Sequence, residues 1–469
     1  MTDEGRRIDP SDWDAFSAQM HELVDICMAR LQSARELPWQ LKPADMGVAL
    51  NDVGPSRDAG DVFAQIVEDV MPYATGNTHP RFFGWVHGTG VPAAIGAELI
   101  AATMNSNCGG RDHGAAEVER AVIDFCTQLA GMPDEAFGIL TTGTSQATIL
   151  ALSCARRKLF GADVLKDGIK NLPDCAVYVA QGGHSCIAKA LEVLGHGANA
   201  LRKVPVGAGG QMDMSKLADM IASDVAAGVV PLAVVGTAGS VNLGYFDDLN
   251  AIADLCAAQD IWFHVDAAFG FWTLLADVPW RDLPAGIGRA NSIATDFHKW
   301  MSVPYGCGAC LISDREVQRA TFTSRPEYLA QQDQGLAGGD LWFCDYGIEL
   351  SRGFKALKVW TVLQTCGTDA LGDYVTDNCK QAALMGEIAK ASDVLELASP
   401  VVSNLCCFRV AKGDPNKIAA QLQLSGEGVL STTIVDGKDC LRAAIVNHRT
   451  TSDDIRDLMA RVEEIVRAL

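Results

Sequence analysis

Ile261-Trp262-Phe263-His264-Val265-Asp266-Ala267-Ala268 is the stretch on which the fold turns. It is a short apolar run that closes on a carboxylate, and a run of this length suits a strand buried on both faces. Moving outward, similar runs occur at Phe137–Leu140, Cys175–Ala180, Pro231–Gly236, Ser292–Thr295 and Ala309–Ile312, separated by long helical patterns. Short apolar strands alternating with helices predict an α/β fold, with a mostly parallel central sheet and helices on both faces. In such sheets ligands bind beyond the carboxyl ends of the strands, so the residues just after each run are the place to look.

Further out the pattern changes. Residues 11–35 read as a helix, with Ser11 able to cap it and Trp13, Phe16, Met20, Leu23 and Val24 at helical spacing. Residues 36–60 form a connector, 61–73 a second helical pattern, and His79-Pro80 opens an aromatic loop, RFFGWVHGTG (81–90). Beyond the strand-and-helix region a helix is expected over 370–391, then strand-like runs at Val394–Leu397, Asn404–Val410 and Cys440–Val446, and a last helix after Thr451. The expected organisation is an N-terminal helical segment (1–80), a large α/β domain (81–370) and a small α+β C-terminal domain (371–469), with no flexible linker between the last two.

Composition bounds the function. The 469 residues carry a net charge of −20, and 48% are hydrophobic, so the chain is globular and has no basic surface for nucleic acid. No apolar run is long enough to predict a membrane span, and the polar start MTDEGRRIDPSDWD has no signal-peptide core. The fifteen cysteines, among them Cys154, Cys175, Cys310, Cys406 and Cys407, sit inside apolar runs and read as reduced, buried thiols. No Cys/His spacing matches a zinc site. A cytoplasmic protein is expected, without nucleic acid, membrane or metal as partner.

Each strand end offers a candidate with two readings. Thr141-Thr142-Gly143-Thr144-Ser145 opens a helix and can either cap it or bind an anion through its N–H groups and hydroxyls. His184, in Gln181-Gly182-Gly183-His184-Ser185, can be a loop residue or stack on a planar ligand. Thr237 starts a hydroxyl- and glycine-containing rim, and Asp247-Asp248 reads as a cap for the next helix. Asp266 either hydrogen-bonds backbone or meets a charged ring nitrogen. Lys299, in Asp296-Phe297-His298-Lys299-Trp300, is either a surface lysine or a nucleophilic amine. Taken together, a phosphate site, a stacking His, a buried Asp and a nucleophilic Lys are what pyridoxal phosphate requires.

TTGTSQATILAL (141–152), HSC (184–186), GTAGSVNLGYFDDL (236–249), HVDAAFGFW (264–272) and DFHKWMSVPYGCGACL (296–311) occur in this order, and LRAAIVNHRTTSDDI (441–455) comes after them. Together they resemble the pyridoxal-phosphate-dependent group II amino-acid decarboxylases, which include aromatic-L-amino-acid, histidine, glutamate and diaminobutyrate decarboxylases. The resemblance runs from about His79 to the C-terminus. It implies an aspartate-aminotransferase-type fold (fold type I), pyridoxal 5′-phosphate as cofactor, a small-molecule amino-acid substrate and a homodimer, with residues 1–80 packing between subunits.

Carried over residue by residue, Lys299 matches the Schiff-base lysine, Asp266 the partner of the pyridine nitrogen and His184 the residue stacked on the ring. Thr144 and Ser145 match the phosphate-binding turn, Ser292 and His298 further cofactor positions, and Thr237 and Ala268 positions beside the ring. Tyr328, in RPEYLAQ (325–331), falls where many decarboxylases have a tyrosine on a mobile loop. It is the first candidate to protonate the substrate's Cα, with His184 second.

The resemblance implies decarboxylation of an L-amino acid, aromatic by first reading, to its amine and CO₂. Phe82, Phe83, Trp85 and His87 are candidates to line the substrate pocket, or to pack at the dimer interface. Oxidative decarboxylation to an aldehyde is an alternative, although relatives with that outcome often carry Phe in place of Tyr328. An aliphatic acidic or basic substrate is another, with Arg111 as the candidate for a distal carboxylate. The chain departs from many members of the family at Gly143-Thr144 and at Gly353 in SRGFKALKVW, and from the aromatic decarboxylases in HGTGVPAAIG (87–96) and in GGRDH (109–113).

Overall fold

The computed structural model describes residues 8–48, 56–207, 209–324, 332–339 and 341–469. Helices α1 (Trp13–Gln32) and α2 (Ala59–Asp69) come first, and neither has a buried residue. The cap of α1 is Asp12, whose carboxylate accepts the Ala15 N–H, and not Ser11. Helices α3 (Ala93–Met104) and α4 (Gly114–Ala130) come next.

A seven-stranded sheet is then built from β1 (Phe137–Thr141), β2 (Cys175–Ala180), β3 (Leu201–Val204), β4 (Val230–Thr237), β5 (Trp262–Asp266), β6 (Ser292–Asp296) and β7 (Gly308–Ile312), in the order β1-β7-β6-β5-β4-β2-β3. Only β7 runs against its neighbours. The connections carry α5 (Thr144–Phe160), the single turn α6 (Val164–Asp167), α7 (Cys186–Val193), α8 (Met214–Ala226) and α9 (Leu249–Gln259). Strands β1, β2, β5, β6 and β7 are buried at every position, as a sheet covered on both faces requires. The sequence pattern missed β3, Leu-Arg-Lys-Val, because it is an edge strand that keeps charge toward solvent.

After α10 (Arg315–Phe322) the helix α11 (Lys355–Ala391) is longer than the 370–391 expected. Gly367, with φ 73°, interrupts it, and the pattern read from sequence was its second half. Val359, Val375 and Cys379 of α11 belong to the core around the large sheet, whereas Ala382, Met385 and Ala389 belong to a second core. That second core is formed by β8 (Leu395–Leu397), β9 (Leu405–Val410), α12 (Pro415–Leu424), β11 (Lys438–Ala444) and α13 (Ser452–Ala468), and β10 (Ser431–Val435) pairs with β11. The strands make a separate antiparallel sheet in the order β10-β11-β9-β8. Thr451 and Asp454 close a reciprocal cap on α13, and Asp454 also pairs with Arg35 at 2.6 Å, tying the N-terminal segment to this unit.

Two buried polar contacts hold the large sheet. Arg352 and Glu119, each 1% exposed in the side chain, form a two-pronged ion pair at 2.5 and 3.0 Å. Glu119 also accepts the Leu140 N–H, and Arg352 donates to the Leu140 carbonyl, so the pair clamps β1 between α4 and the segment before α11. Removing one partner leaves a buried charge alone. Glu119→Gln is therefore expected to lower the unfolding free energy by about 3–5 kcal/mol in urea titrations, with Arg352→Met similar.

The second contact joins β5 to β6. His264 Nδ1 lies 2.8 Å from Ser292 Oγ, which also accepts the Trp262 indole N–H at 2.8 Å. Burial pushes His264 down to about 4, against about 6.5 in an unfolded chain. The unfolded state thus binds more protons between these values. The stability contributed by the neutral ring is whole above about pH 6.5 and is lost as pH falls toward 4. His448, also pushed by burial to about 4, adds to the same window. Unfolding measured from pH 7 to 4 should lose stability steadily, and His264→Asn should flatten that slope by about 1.4 kcal/mol per pH unit.

Candidate active site

Strands β2, β4, β5 and β6 are parallel, so their carboxyl ends share one edge of the sheet, and the N-terminus of α5 opens beside them. Residues leaving these ends line a cavity of about 410 Å³: His184 after β2, Thr237 ending β4, Asp266 and Ala268 at and after the end of β5, and His298 and Lys299 after β6. Thr144, the first residue of α5, joins them. The opposite wall is Trp85, Val86 and His87 from the loop before α3, Tyr305, and Ser431, Thr432 and Arg442 from the second unit.

Asp266 is 5% exposed and accepts the Ala268 N–H at 3.2 Å. Burial pushes its carboxyl up, against the positive charge of Lys299 and His184. A carboxylate in that balance is suited to a further cationic group such as a protonated ring nitrogen. His184 accepts the Cys186 N–H on Nδ1 at 3.2 Å, which assigns the proton of its neutral form to Nε2. Burial pushes His298 down, and its Nδ1 lies 2.8 Å from the Cys307 carbonyl oxygen and 3.1 Å from the Cys307 N.

The sequence reading missed Asp296, which joins these groups. Its Oδ1 accepts the Thr144 N–H at 2.7 Å, and its Oδ2 accepts the Thr144 hydroxyl at 2.8 Å and lies 2.9 Å from Lys299 Nζ. Helix α5 has no capping side chain of its own, so its first N–H is satisfied by a carboxylate from the end of β6. The Asp-x-x-Lys spacing within DFHK was the available signal. Gly88 lays the loop before α3 onto the lysine segment, where a Cβ would stand 2.3 Å from the carbonyl oxygens of both His298 and Lys299. Lys358 fixes the other side: it pairs with Glu98 and donates to the Tyr305 carbonyl at 3.2 Å.

Other sequence-based candidates fall elsewhere. Phe83 is fully buried in the second core, with its N–H on the Val429 carbonyl, and cannot line the pocket. Phe82 is also buried, behind His87. Ser292 begins β6, at the opposite end of that strand from Asp296, and its hydroxyl is committed to His264 and Trp262. Ser145 stands exposed on the first turn of α5 and does not line the cavity. Arg111 stacks over Trp342 at 5.1 Å, also away from the cavity lining. Of the Asp pair only Asp248 caps α9, because Asp247 is buried and accepts the Met212 and Thr237 N–H groups. Tyr328 lies outside the described residues.

The residues present fit pyridoxal phosphate. A lysine amine, a buried carboxylate and an imidazole line one cavity, with a helix N-terminus alongside for an anion. Comparison with known proteins agrees. The model of the pyridoxal-dependent decarboxylase conserved domain matches residues 46–411, well over half of the chain. An aromatic-L-amino-acid decarboxylase of Bacillus atrophaeus is 29% identical over 95% of this chain and 94% of its own length. An L-2,4-diaminobutyrate decarboxylase of Rhizobium meliloti is 28% identical over 97% and 92%. A crystal structure of Oryza sativa TDC with PLP and tryptamine superposes with a TM-score of 0.89 at 25% identity, covering 98% of this chain and 99% of that one. The fold-type I architecture is thus shared across nearly the whole length. The chain belongs to the pyridoxal-dependent decarboxylase family, amino-acid carboxy-lyases whose cofactor is pyridoxal 5′-phosphate.

Proposed function

We propose that the protein decarboxylates an L-amino acid with an aromatic side chain and releases the amine. The observation that carries this reading is the aromatic wall of Trp85, His87 and Tyr305, in the same cavity as Lys299. The names of the Bacillus relative and the tryptamine in the Oryza structure support the same side-chain class. The identity of residue 328 as Tyr supports the amine over the aldehyde product.

Bound here, pyridoxal phosphate supplies an aldehyde for the substrate amine and a ring that draws off the electron pair left by departing CO₂. Lys299 holds the cofactor through Nζ, and the Asp296 carboxylate orients that amine. Asp266 would keep a proton on the ring nitrogen. Thr144 and the first turn of α5 would take the phosphate, while Thr237, Ala268 and His298 would flank the ring. His184 would pack on the ring face and so hold the ring plane for the reaction. Of the two candidate proton donors to Cα, Tyr328 and His184, the second offers Nε2–H, because its Nδ1 accepts from backbone.

A second reading rests on Arg442. This side chain is buried, lines the cavity and donates to the Asn242, Trp85 and Val241 carbonyls and to Ser431 Oγ, with no acidic partner among the described residues. Burial pushes its proton affinity down. A buried cation without a counter-charge suits a substrate carboxylate, and this favours an acidic amino acid as the alternative.

The assembly we propose is a homodimer. Helices α1 and α2 have no buried residue in the single chain, and Trp13, Ile66, Leu99 and Ile100 are all exposed. No disulfide forms among the described residues, which supports a cytoplasmic setting. No described helix is long and apolar enough to cross a membrane.

A CO₂-release screen with product mass spectrometry separates the readings. Aromatic substrates should give the highest kcat/KM, and an exclusive response to aspartate or glutamate would replace the first reading with the second. Borohydride reduction and peptide mapping should label Lys299, and Lys299→Ala should release no CO₂. Asp266→Asn, with its cofactor content checked, should lose a factor of about 10² to 10⁴ in kcat, about 3–5 kcal/mol of barrier. Near-normal turnover would remove Asp266 from its role. Sedimentation should give twice the chain mass, and a fully active monomer would refute the dimer.

A further inference from the structure

His87 is held among three aromatic rings. It stacks on Phe82 at 5.8 Å and 16° and on Trp85 at 5.5 Å and 27°, and meets Tyr305 edge-on at 6.1 Å. Tyr305 in turn leans on His298 at 4.7 Å, one residue from Lys299. These contacts fix the imidazole plane while leaving its polar edge uncommitted. Neither ring nitrogen has a hydrogen-bond partner among the described residues, although the ring is half-buried and lines the cavity.

The backbone holding this ring is itself constrained. Trp85 sits at φ 55°, in the left-handed region that a bulky side chain seldom adopts. Gly88, immediately after His87, packs on the carbonyls of His298 and Lys299, and Asn77 Nδ2 donates to the Gly88 carbonyl at 2.5 Å. The loop carrying the imidazole is therefore held against the backbone of the lysine segment.

Burial pushes His87 down, and the positive charges of His298 and Lys299 push it the same way, so the ring is neutral near pH 7. A neutral imidazole presents one N–H and one lone pair. Flat aromatic neighbours with one donor and one acceptor at the edge match a planar side chain that carries a polar atom of its own.

We infer that His87 selects aromatic side chains with a hydrogen-bonding edge, a phenol or an indole, over a plain phenyl ring. The inference rests on the aromatic reading above and adds the group that discriminates within that class. A half-buried nitrogen facing a phenyl ring stays without a partner, and a pocket built to hydrogen-bond its substrate penalises the analogue that lacks the group.

The test compares pairs that differ by one donor: tyrosine against phenylalanine, and tryptophan against 1-methyltryptophan. It uses the cofactor-loaded enzyme as wild type, His87→Phe and His87→Gln. In the wild type one donor-bearing substrate should exceed its partner by about tenfold or more in kcat/KM, chiefly through KM. His87→Phe keeps the ring stack and should bring that ratio close to one, while His87→Gln, which retains a donor and an acceptor, should keep part of it. A purely structural role would lower both members of a pair together and leave the ratio as it was. An unchanged ratio in His87→Phe, or no preference in the wild type, overturns this inference alone. If no aromatic amino acid releases CO₂, the aromatic reading falls and this one falls with it.

Discussion

The Asp296 carboxylate is the contact on which the site's geometry depends. It ends one strand, caps the helix that begins after another and holds the amine of Lys299. A carboxylate 1% exposed is costly to keep unless its oxygens are satisfied, and both are met here, by the Thr144 N–H and hydroxyl and by the Lys299 amine. Lys299 and the N-terminus of α5 are thereby registered to each other through one side chain. Loss of that contact would release the lysine amine and the helix end together, the two anchors proposed for the cofactor.

Around it the chain repeats the same device at larger scale. Arg352 and Glu119 clamp β1, and Lys358 and Glu98 fix the Tyr305 segment. Each is a buried or half-buried charge whose partner comes from a distant part of the sequence. Such pairs add little net stability compared with apolar packing, but they tolerate one arrangement only. A pocket whose chemistry depends on a plane and a proton position gains from that rigidity.

The substrate wall has a different origin from the cofactor wall. The cofactor residues leave strand ends of one sheet, while Trp85 and His87 come from a loop lying on the lysine segment and Arg442, Ser431 and Thr432 come from the second unit. A change in that loop or in that unit can therefore alter the substrate without moving the cofactor.

The sequence by itself determined the sheet, most of its strands and the residues at their carboxyl ends, because an apolar run of strand length and the few residues after it are local signals. Lys299, Asp266, His184, Thr237 and Ala268 were legible for that reason, each lying within a few residues of a strand end. Edge strand β3 and hairpin strand β10 were not, since neither is an unbroken apolar run. The break of α11 at Gly367 and the commitment of Asp247 to two backbone N–H groups also escaped, because a helix pattern does not register φ and an Asp pair looks like a cap wherever it stands. Only the tertiary structure decided that Phe83 turns into the second core while its neighbours Trp85 and His87 face the cavity. It likewise decided that Ser292 sits at the wrong end of its strand, and that Asp296 and Arg442 reach the site. Those placements depend on which face of a loop is buried and on contacts between residues far apart in the chain, and no spacing within a single segment records either.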